Sequence, residues 1–404
     1  MSVGEIGLET SDALNYSAFS WELCRFSYDD LTQRVKSAVF RVASYLTDPI
    51  CKCHELMRRL HLVDHLHPTA MKVANVARKM LLVGAMAVCA FTALFTTLPG
   101  IALRGMGVYL QKEPFIHWKG DHKDKILPSD RTFSLLSWNI CCVGAGYSIS
   151  DGGVMPWRFR IDAIVDKILK KDADVNCLYE TMDTSSAFYI AEKLQQNGYS
   201  HIYFNIGPKA VGASSGIMVA SKYAIKNPQF TQFPLDSLVG RTKHAAKGVF
   251  GFDLQSKGKT FATVFATHPQ HSAEPSYPTD EEIEARRKQM KIILEQVDKV
   301  KDRCVVVTGD LNLDDEEYRK SPWSSRFQKG DTFHDPDYTW GGDKVCAGIM
   351  SQRPSLPSNL DHTMVKAGSA RSIRTSLVKT GYVGTLFKEK ALSDHAGLFS
   401  QIGV

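Results

Sequence analysis

The chain has 404 residues, 44% hydrophobic and 23% charged, apolar enough to bury a sizeable core, which excludes global disorder. Its 29 Gly and 16 Pro lack a triplet period, which excludes a collagen-like fibre, and nine cysteines, an odd number, are too few for a disulfide scaffold. Reduced thiols and a catalytic region facing a reducing compartment are expected. The net charge of +6, from 49 basic and 43 acidic residues with the signs interspersed, suits an anionic membrane surface or a phosphorylated substrate. It argues only weakly for nucleic acid, which draws a concentrated basic face.

Residues 1–30 carry Glu5, Glu9, Asp12 and Glu22 and no basic-then-apolar start, so no secretory signal is expected there. Residues 30–80 read as a helical N-terminal region. Leu31, Val35, Val39, Val42 and Leu46 recur at three- and four-residue spacing along one face, and Pro49 is expected to end that helix. His61, His65 and His67 are expected on an exposed helical face rather than around a metal, since no Cys or acid completes a tetrahedron. Leu81 to Leu103 then contains no charge and is long enough to cross about 30 Å of hydrocarbon. It is apolar all round rather than on one stripe, which points to membrane embedding over a buried core helix. Pro99-Gly100 places the straight part at Met80 to Leu98. Arg78, Lys79 and Arg104 flank both ends and give no orientation, so a spanning helix, a hairpin and a re-entrant segment all stand. Residues 104–129 read as a linker.

From residue 130 to 404 strands and helices alternate. Strands are expected at Phe133–Ile140, Val175–Tyr179, Gly216–Ala220, Val249–Leu254, Thr260–Ala266, Cys304–Thr308, Leu360–Val365, Ser372–Val378 and Gly397–Ile402. Ser256-Lys257-Gly258 reads as a hairpin turn. Helices are expected at Phe159–Lys171, with Ile161, Ile164, Val165, Ile168 and Leu169 on one face, and at Asp280–Val300. The pattern suggests sheets packed face to face with helices outside.

Polar residues concentrate where these strands end: Asn139, Glu180, His268, Asp310 with Asn312, Asp361, and Asp394 with His395. Any one of them is ordinarily a cap or turn former, but strand ends on one edge converge in space. An oxygen-rich set without Cys suits a hard divalent cation such as Mg²⁺ or Mn²⁺ rather than structural zinc. Such an ion stabilises the charge of an in-line phosphoryl transition state. A His held by an Asp can take the proton of an attacking water.

The ordered set Leu-Ser-Trp-Asn139, Leu-Tyr-Glu180, Thr267-His268, Gly309-Asp310-Leu-Asn312, Leu-Asp361 and Ser393-Asp394-His395 resembles the endonuclease/exonuclease/phosphatase superfamily over residues 130–404. The resemblance implies a four-layered αββα sandwich of the DNase I-like kind and a Mg²⁺-dependent hydrolase of phosphoric esters. It also implies that Asn139 and Glu180 hold the main metal with Asp394 near it. Asp310 and Asn312 would position water and phosphate or ligate a second ion, His268 would donate to the phosphate, and His395 would be the general base oriented by Asp361. Within the superfamily, three further pieces resemble the Mg²⁺-dependent neutral sphingomyelinases: Lys247-Gly248, whose Lys would face the phosphate; Thr267-His268-Pro269-Gln270 followed by Arg286 and Gln289; and Tyr338-Thr339-Trp340. Membrane-bound members carry hydrophobic segments ahead of the catalytic domain, as Leu81–Leu103 stands here. The chain departs from their pattern at Pro269, where Leu is usual, at Thr242, where some members have an acid, and at His362, where Tyr is usual.

The reading implied is a membrane-associated phosphodiesterase cleaving a phospholipid in the phospholipase C manner. Its rivals are a nuclease, whose only sequence cue is the basic run Arg241, Lys243, His244 and Lys247, an inositol-phosphate phosphatase, whose usual Cys-Asp-Arg motif is missing, and a membrane-tethered binding module with a dead site. Trp157 and Trp323 are expected to pack; Trp340 either packs or flanks a lipid headgroup.

Overall fold

The computed structural model describes residues 31–66, 72–110, 113–143, 154–273, 277–330, 338–341, 357–384 and 389–404. The side chains of His61, His65 and His67 lie outside the described set. Two helices open it, α1 (Leu31–Leu66) and α2 (Lys72–Tyr109). The elements that follow are β1 (Ile116–Lys119), β2 (Thr132–Asn139), α3 (Ile161–Lys171), β3 (Val175–Tyr179), α4 (Thr184–Gln196), β4 (His201–Phe204), β5 (Met218–Ser221), β6 (Ala224–Gln232), β7 (Gly248–Ser256) and β8 (Lys259–Thr267). Then come α5 (Asp280–Asp298), β9 (Cys304–Asp310), α6 (Asp315–Lys320), α7 (Trp323–Arg326), β10 (Phe327–Lys329), β11 (Asp361–Lys366), β12 (Ser372–Val378), β13 (Tyr382–Gly384), β14 (Glu389–Ala391) and β15 (Gly397–Gly403).

One sheet runs β1-β4-β5-β3-β2-β15-β12 and the other β10-β11-β9-β8-β7-β6; β13 and β14 form a separate pair. Strand alternation divides the apolar residues among three cores, which is what a four-layered αββα sandwich requires. Leu136, Trp138 and Leu178 point outward to meet Ile161, Ile164 and Ile168 of α3 and Ile190 and Leu194 of α4. Phe133, Leu135, Val175, Cys177 and Tyr179 point inward to meet Phe250, Phe252, Val264 and Val306 of the second sheet. Val305 and Val307 face outward from that sheet onto Met290, Ile293 and Val297 of α5 and Trp323 of α7.

Local chemistry accounts for the ends of several elements. Lys257 (φ 50°) and Gly258 (φ 76°) both sit in the left-handed region, the requirement of a two-residue type I′ hairpin between β7 and β8. At α5, the Thr279 hydroxyl accepts from Glu282 N while the Glu282 carboxylate accepts from Thr279 N, closing a capping box.

The N-terminal region corrects two expectations. α1 continues through Pro49 and α2 through Pro99, so neither proline stops its helix. The two helices pack on each other, and that packing overrides the local breaker. They approach closely at Gly100, where a Cβ would come within 2.7 Å of a Thr47 methyl. The stretch 104–129, expected as a linker, ends α2 and then supplies β1, an edge strand paired with β4. α1 is also built into the two-sheet unit: Phe40 is buried in the outer core, Ser37 Oγ accepts from Trp118 Nε1 at 3.1 Å, and Lys36 Nζ donates to the carbonyls of Glu113 and Phe115. Among the described residues one helix is long and apolar enough to cross a membrane; only 6% of its most apolar window is buried. Leu81, Phe91, Leu94, Phe95 and Leu98 are all more than 60% exposed, which excludes a core helix.

Candidate active site

β2 and β3 are parallel neighbours in one sheet, as are β8 and β9 in the other, so their C-terminal ends point the same way. β15 runs antiparallel to β2, and β11 antiparallel to β9, which brings the starts of β15 and β11 to that same edge. Tyr179 OH donates to Thr308 O at 3.0 Å across the two sheets and ties the ends together. Gly309 belongs to this construction: a Cβ there would lie 1.9 Å from Thr267 O, so only glycine lets β8 and β9 close side by side.

Asp310 stands at the centre, 2% exposed. Its Oδ2 accepts from Asn139 Nδ2 at 2.9 Å and lies 3.5 Å from His268 Nε2 and 3.6 Å from His395 Nε2. Its Oδ1 accepts from Asn312 N at 3.1 Å. His395 Nδ1 is 2.7 Å from Asp361 Oδ2, and its Nε2 is 3.8 Å from Asp394 Oδ2. Glu180 Oε1 lies 3.9 Å from His268 Nε2. Lys247 is buried within the field of Glu180 and Asp310. All nine residues expected at the site, Asn139, Glu180, Lys247, His268, Asp310, Asn312, Asp361, Asp394 and His395, therefore meet at one end of the two sheets. Glu180 (φ 61°), Asn312 (φ 52°) and nearby Cys141 (φ 49°) hold left-handed backbones, a strain that persists where surrounding structure enforces it.

The electrostatics follow from crowding acids in a dry place. Burial raises the Glu180 carboxyl above its ordinary value and neighbouring Asp394 raises it further, while Lys247 opposes both. Burial likewise pushes Asp310 up to about 6. For His395 burial acts downward, but Asp361, Asp310 and Asp394 together outweigh it and hold the imidazole well above its usual range. His268 is driven well below that range by burial and by Lys247, and so is neutral.

The fit to a divalent cation can be judged from these groups. Three carboxylates, from Glu180, Asp310 and Asp394, share a small volume, and the donors are oxygens, the set a hard cation takes. The buried amide Nδ2 of Asn312 and the carboxylate Oδ1 of Asp361 have no hydrogen-bond partner. Among the described residues, Asp310, Asp361 and His395 offer ligand atoms within 4.8 Å of one another. Because His395 Nδ1 is already bonded to Asp361, that trio reads better as a hydrogen-bonded relay beside an ion than as its cage.

One supporting residue escaped the sequence reading, and another was visible there only as part of a motif. Arg160, fully buried at the start of α3, donates from Nε to Met155 O (2.7 Å), from Nη1 to Ile140 O (2.7 Å) and Leu392 O (2.5 Å), and from Nη2 to Cys141 O. It thereby clamps the residues after Asn139 to the one before Ser393. A helix-start Arg looks like a surface residue in sequence, and no motif marks it. Thr339 Oγ1 accepts from Leu360 N (2.9 Å) and Asp361 N (3.1 Å), and Thr339 O accepts from Ala396 N (2.7 Å), so it holds both members of the His395–Asp361 pair. The Tyr-Thr-Trp piece was the cue, but its work is done by the Thr. Trp340 is 6% exposed and packs, as do Trp157 and Trp323.

The Gln270, Arg286 and Gln289 piece is also structural. Gln289 Oε1 accepts from Gln270 N, Gln270 reaches Thr242 Oγ1 and Val239 N, and Arg286 pairs with Glu317 while donating to Ser272 Oγ. This network fixes the segment that ends at Lys247, and Thr242 is one of its members. His362 turns away from the cleft: its Nε2 is 2.8 Å from Leu313 O, in the loop carrying Asn312, and its ring stacks on Tyr318.

Two measurements probe this scaffold. Arg160→Met leaves four buried carbonyls short of a donor and should cost about 3 kcal/mol or more in urea unfolding; a cost below about 1 kcal/mol would mean that the clamp is dispensable. Lys247 is the opposite case. Burial pushes its amine down to about 8 from the ordinary 10.5, so between those values the unfolded chain binds a proton that the folded chain does not. Stability therefore rises with pH across that window, and at neutral pH the buried cation costs the fold. Lys247→Met should stabilise the chain at pH 7 by on the order of 1 kcal/mol or more, a gain that fades as the pH climbs through the window. Denaturant titrations at stepped pH would show it; a constant difference would remove the charge-burial account.

Among curated proteins the chain is similar to the CCR4-Not complex 3'-5'-exoribonuclease subunit Ccr4 of Neosartorya fischeri, 25% identical over 147 residues, which cover 31% of this chain and 20% of that protein. It thus spans about a fifth, 20%, of the length of the curated relatives it matches. Among solved structures, a β toxin variant from Staphylococcus aureus with bound magnesium ions gives a TM-score of 0.54 at 19% identity, covering 66% of this chain and 98% of that one. Sphingomyelinase C from Streptomyces griseocarneus gives 0.50 at 18% identity, covering 67% and 99%. Residues 136–395 match the Endonuclease/Exonuclease/phosphatase family, a span that begins in β2 just ahead of Asn139 and closes on His395, and the chain belongs to that family.

Proposed function

We propose that the chain is a membrane-associated, Mg²⁺-dependent phosphodiesterase, with Mn²⁺ as a substitute, that cleaves a phospholipid as a sphingomyelinase does and releases the phosphorylated headgroup. The observation that carries this reading is the His395–Asp361 pair, 2.7 Å apart and set beside a buried carboxylate cluster. Asn139, Glu180 and Asp394 would hold the cation, with Asp310 and Asn312 positioning water and phosphate or sharing a second ion. Bound there, a cation would supply positive charge for the phosphate oxygens and would draw on the carboxylates that otherwise keep His395 protonated. Asp361 orients the His395 imidazole, which takes the proton of the attacking water. Neutral His268 and cationic Lys247 donate to the phosphate oxygens. The exposed apolar face of α2 favours a lipid substrate, and the sphingomyelinase C fold is the same.

A nuclease is the second reading, supported by the likeness to Ccr4 and by exposed Arg241 and Lys243 on the segment leading to Lys247. A panel separates the two: full-length chain with sphingomyelin in mixed micelles, with RNA, and with inositol phosphates, each with Mg²⁺ and with excess EDTA. Phosphocholine release only with Mg²⁺ is expected. Nucleotide release without phosphocholine turns the assignment to the nuclease, and phosphate release from inositol phosphates alone turns it to the phosphatase.

A further inference from the structure

We propose that the α1–α2 hairpin is a monotopic anchor: α2 lies in the plane of one leaflet with its exposed face among the acyl chains and does not cross the bilayer. The inference rests on the membrane reading above and deepens it. Composition alone admits a spanning helix; the packing around α2 does not.

The catalytic unit runs alongside the hairpin. At the C-terminal end of α2, Arg104 Nη2 donates to Lys209 O (3.4 Å) and Gly212 O (3.3 Å) of the loop beside the cleft. Further back, α1 covers α2, with Cys53 Sγ 3.9 Å from Met86 O. Two residues on, Glu55 of α1 is 5% exposed and pairs at 3.6 Å with Arg158, which belongs to the catalytic unit and also meets Asp48 at 2.5 Å. From Met86 to Arg104 is 18 residues, about 27 Å of helix. That is close to the whole thickness of a hydrocarbon core, about 30 Å. A spanning α2 would therefore carry Asp48, Lys52, Glu55 and Arg158 through the bilayer, at about 2.5–3.5 kcal/mol for each Asp, Lys or Arg at its centre.

Laid flat, the same hairpin has no such conflict. Leu81, Val83, Val88, Phe91, Leu94, Phe95 and Leu98 are the exposed side, and the covered side of α2 meets α1 with its charges. An apolar face opposed by a charged one is the signature of a helix pair lying in an interface. Because Arg104 touches the loop that pairs with the segment leading to Lys247, a flat hairpin sets that segment beside the leaflet that holds α2.

The test uses the full chain added from outside to preformed phosphatidylcholine–phosphatidylserine vesicles, isolated by flotation. A membrane-impermeant amine reagent is applied, and Lys52 and Lys79 are read by peptide mass spectrometry before and after detergent opens the vesicles. Lys79 precedes the apolar stretch, on the far side of a spanning helix but on the near side of a flat one. Full labelling of both lysines before opening, with no gain afterwards, is expected; labelling of Lys79 only after opening overturns the flat anchor while leaving membrane association intact. A chain that does not float with the vesicles overturns both readings. Leu94→Asp with Phe95→Asp should abolish flotation yet leave hydrolysis of a micellar substrate unchanged; retained flotation would show that this face is not the one in the lipid.

Discussion

Replacing His395 by Gln should lower kcat by about 10²- to 10⁴-fold, the range a positioned general base contributes. Gln keeps the backbone carbonyl that accepts from Trp138 Nε1 at 2.9 Å, and it keeps side-chain volume, so the loop should hold. What it lacks is an imidazole that can exchange a proton on Nε2 while Asp361 fixes Nδ1. Asp361→Asn attacks the same device from the other end and should fall in a similar range. If the two residues work as one unit, the double variant should be no slower than the worse single variant. Multiplicative losses would dissolve the pair, and a near-normal rate in His395→Gln would end its role. The His395 imidazole also leaves a mark on stability. In chelator, its folded-state affinity for the proton is raised, so it stabilises the fold fully below its unfolded value near 6.5 and loses that contribution as the pH rises through the folded value. The unfolding free energy of the wild type should thus exceed that of His395→Gln most at the acid side, and the gap should narrow with rising pH.

How much of this was legible depends on what each element presents in sequence. Cys304–Asp310 is buried on both faces and reads as a near-continuous apolar run, so β9 and the Asp at its end were visible. β1 and β4 have four residues each, too short for any period to declare itself, and β6 is an exposed edge strand with Pro228 and an irregular register between Lys226 and Gln229. α4 is not among the expected elements; Asp183 caps it, its carboxylate accepting from Ser185 N and Ser186 N. The candidate site was more legible than the fold because its residues sit at strand ends, where a polar group after an apolar run stands out. What escaped, Arg160 and the clamping role of Thr339, works through backbone carbonyls and amides. A carbonyl acceptor looks the same in every residue, so nothing in the sequence says which one a buried guanidinium will find.

Mg²⁺ added to the chelated chain should raise its melting temperature, and Glu180→Gln should remove most of that rise while reversing sign without the ion. Glu180 sits beside Asp394 and near Asp310, and its folded-state carboxyl is raised first by burial and then by Asp394. An acid raised in this way binds more protons folded than unfolded. In chelator the chain should therefore lose stability as the pH climbs past the ordinary carboxylate range, because Glu180 and Asp310 must both ionise against their neighbours. Removing one of these charges relieves the others, so Glu180→Gln should be the more stable chain in EDTA at neutral pH. With Mg²⁺ the order should invert. An ion that binds only the folded state adds about 2.7 kcal/mol at a hundredfold excess over its Kd, which is several degrees for a chain of this size. Glu180→Gln gives up an anionic ligand and with it most of that increment. Thermal melts of both chains, with and without Mg²⁺, give the four values required. An equal rise in both would strike Glu180 from the cation site. Full activity of the wild type in excess EDTA would strike the cation itself, and the carboxylate cluster would then need a different explanation for its place beside His395.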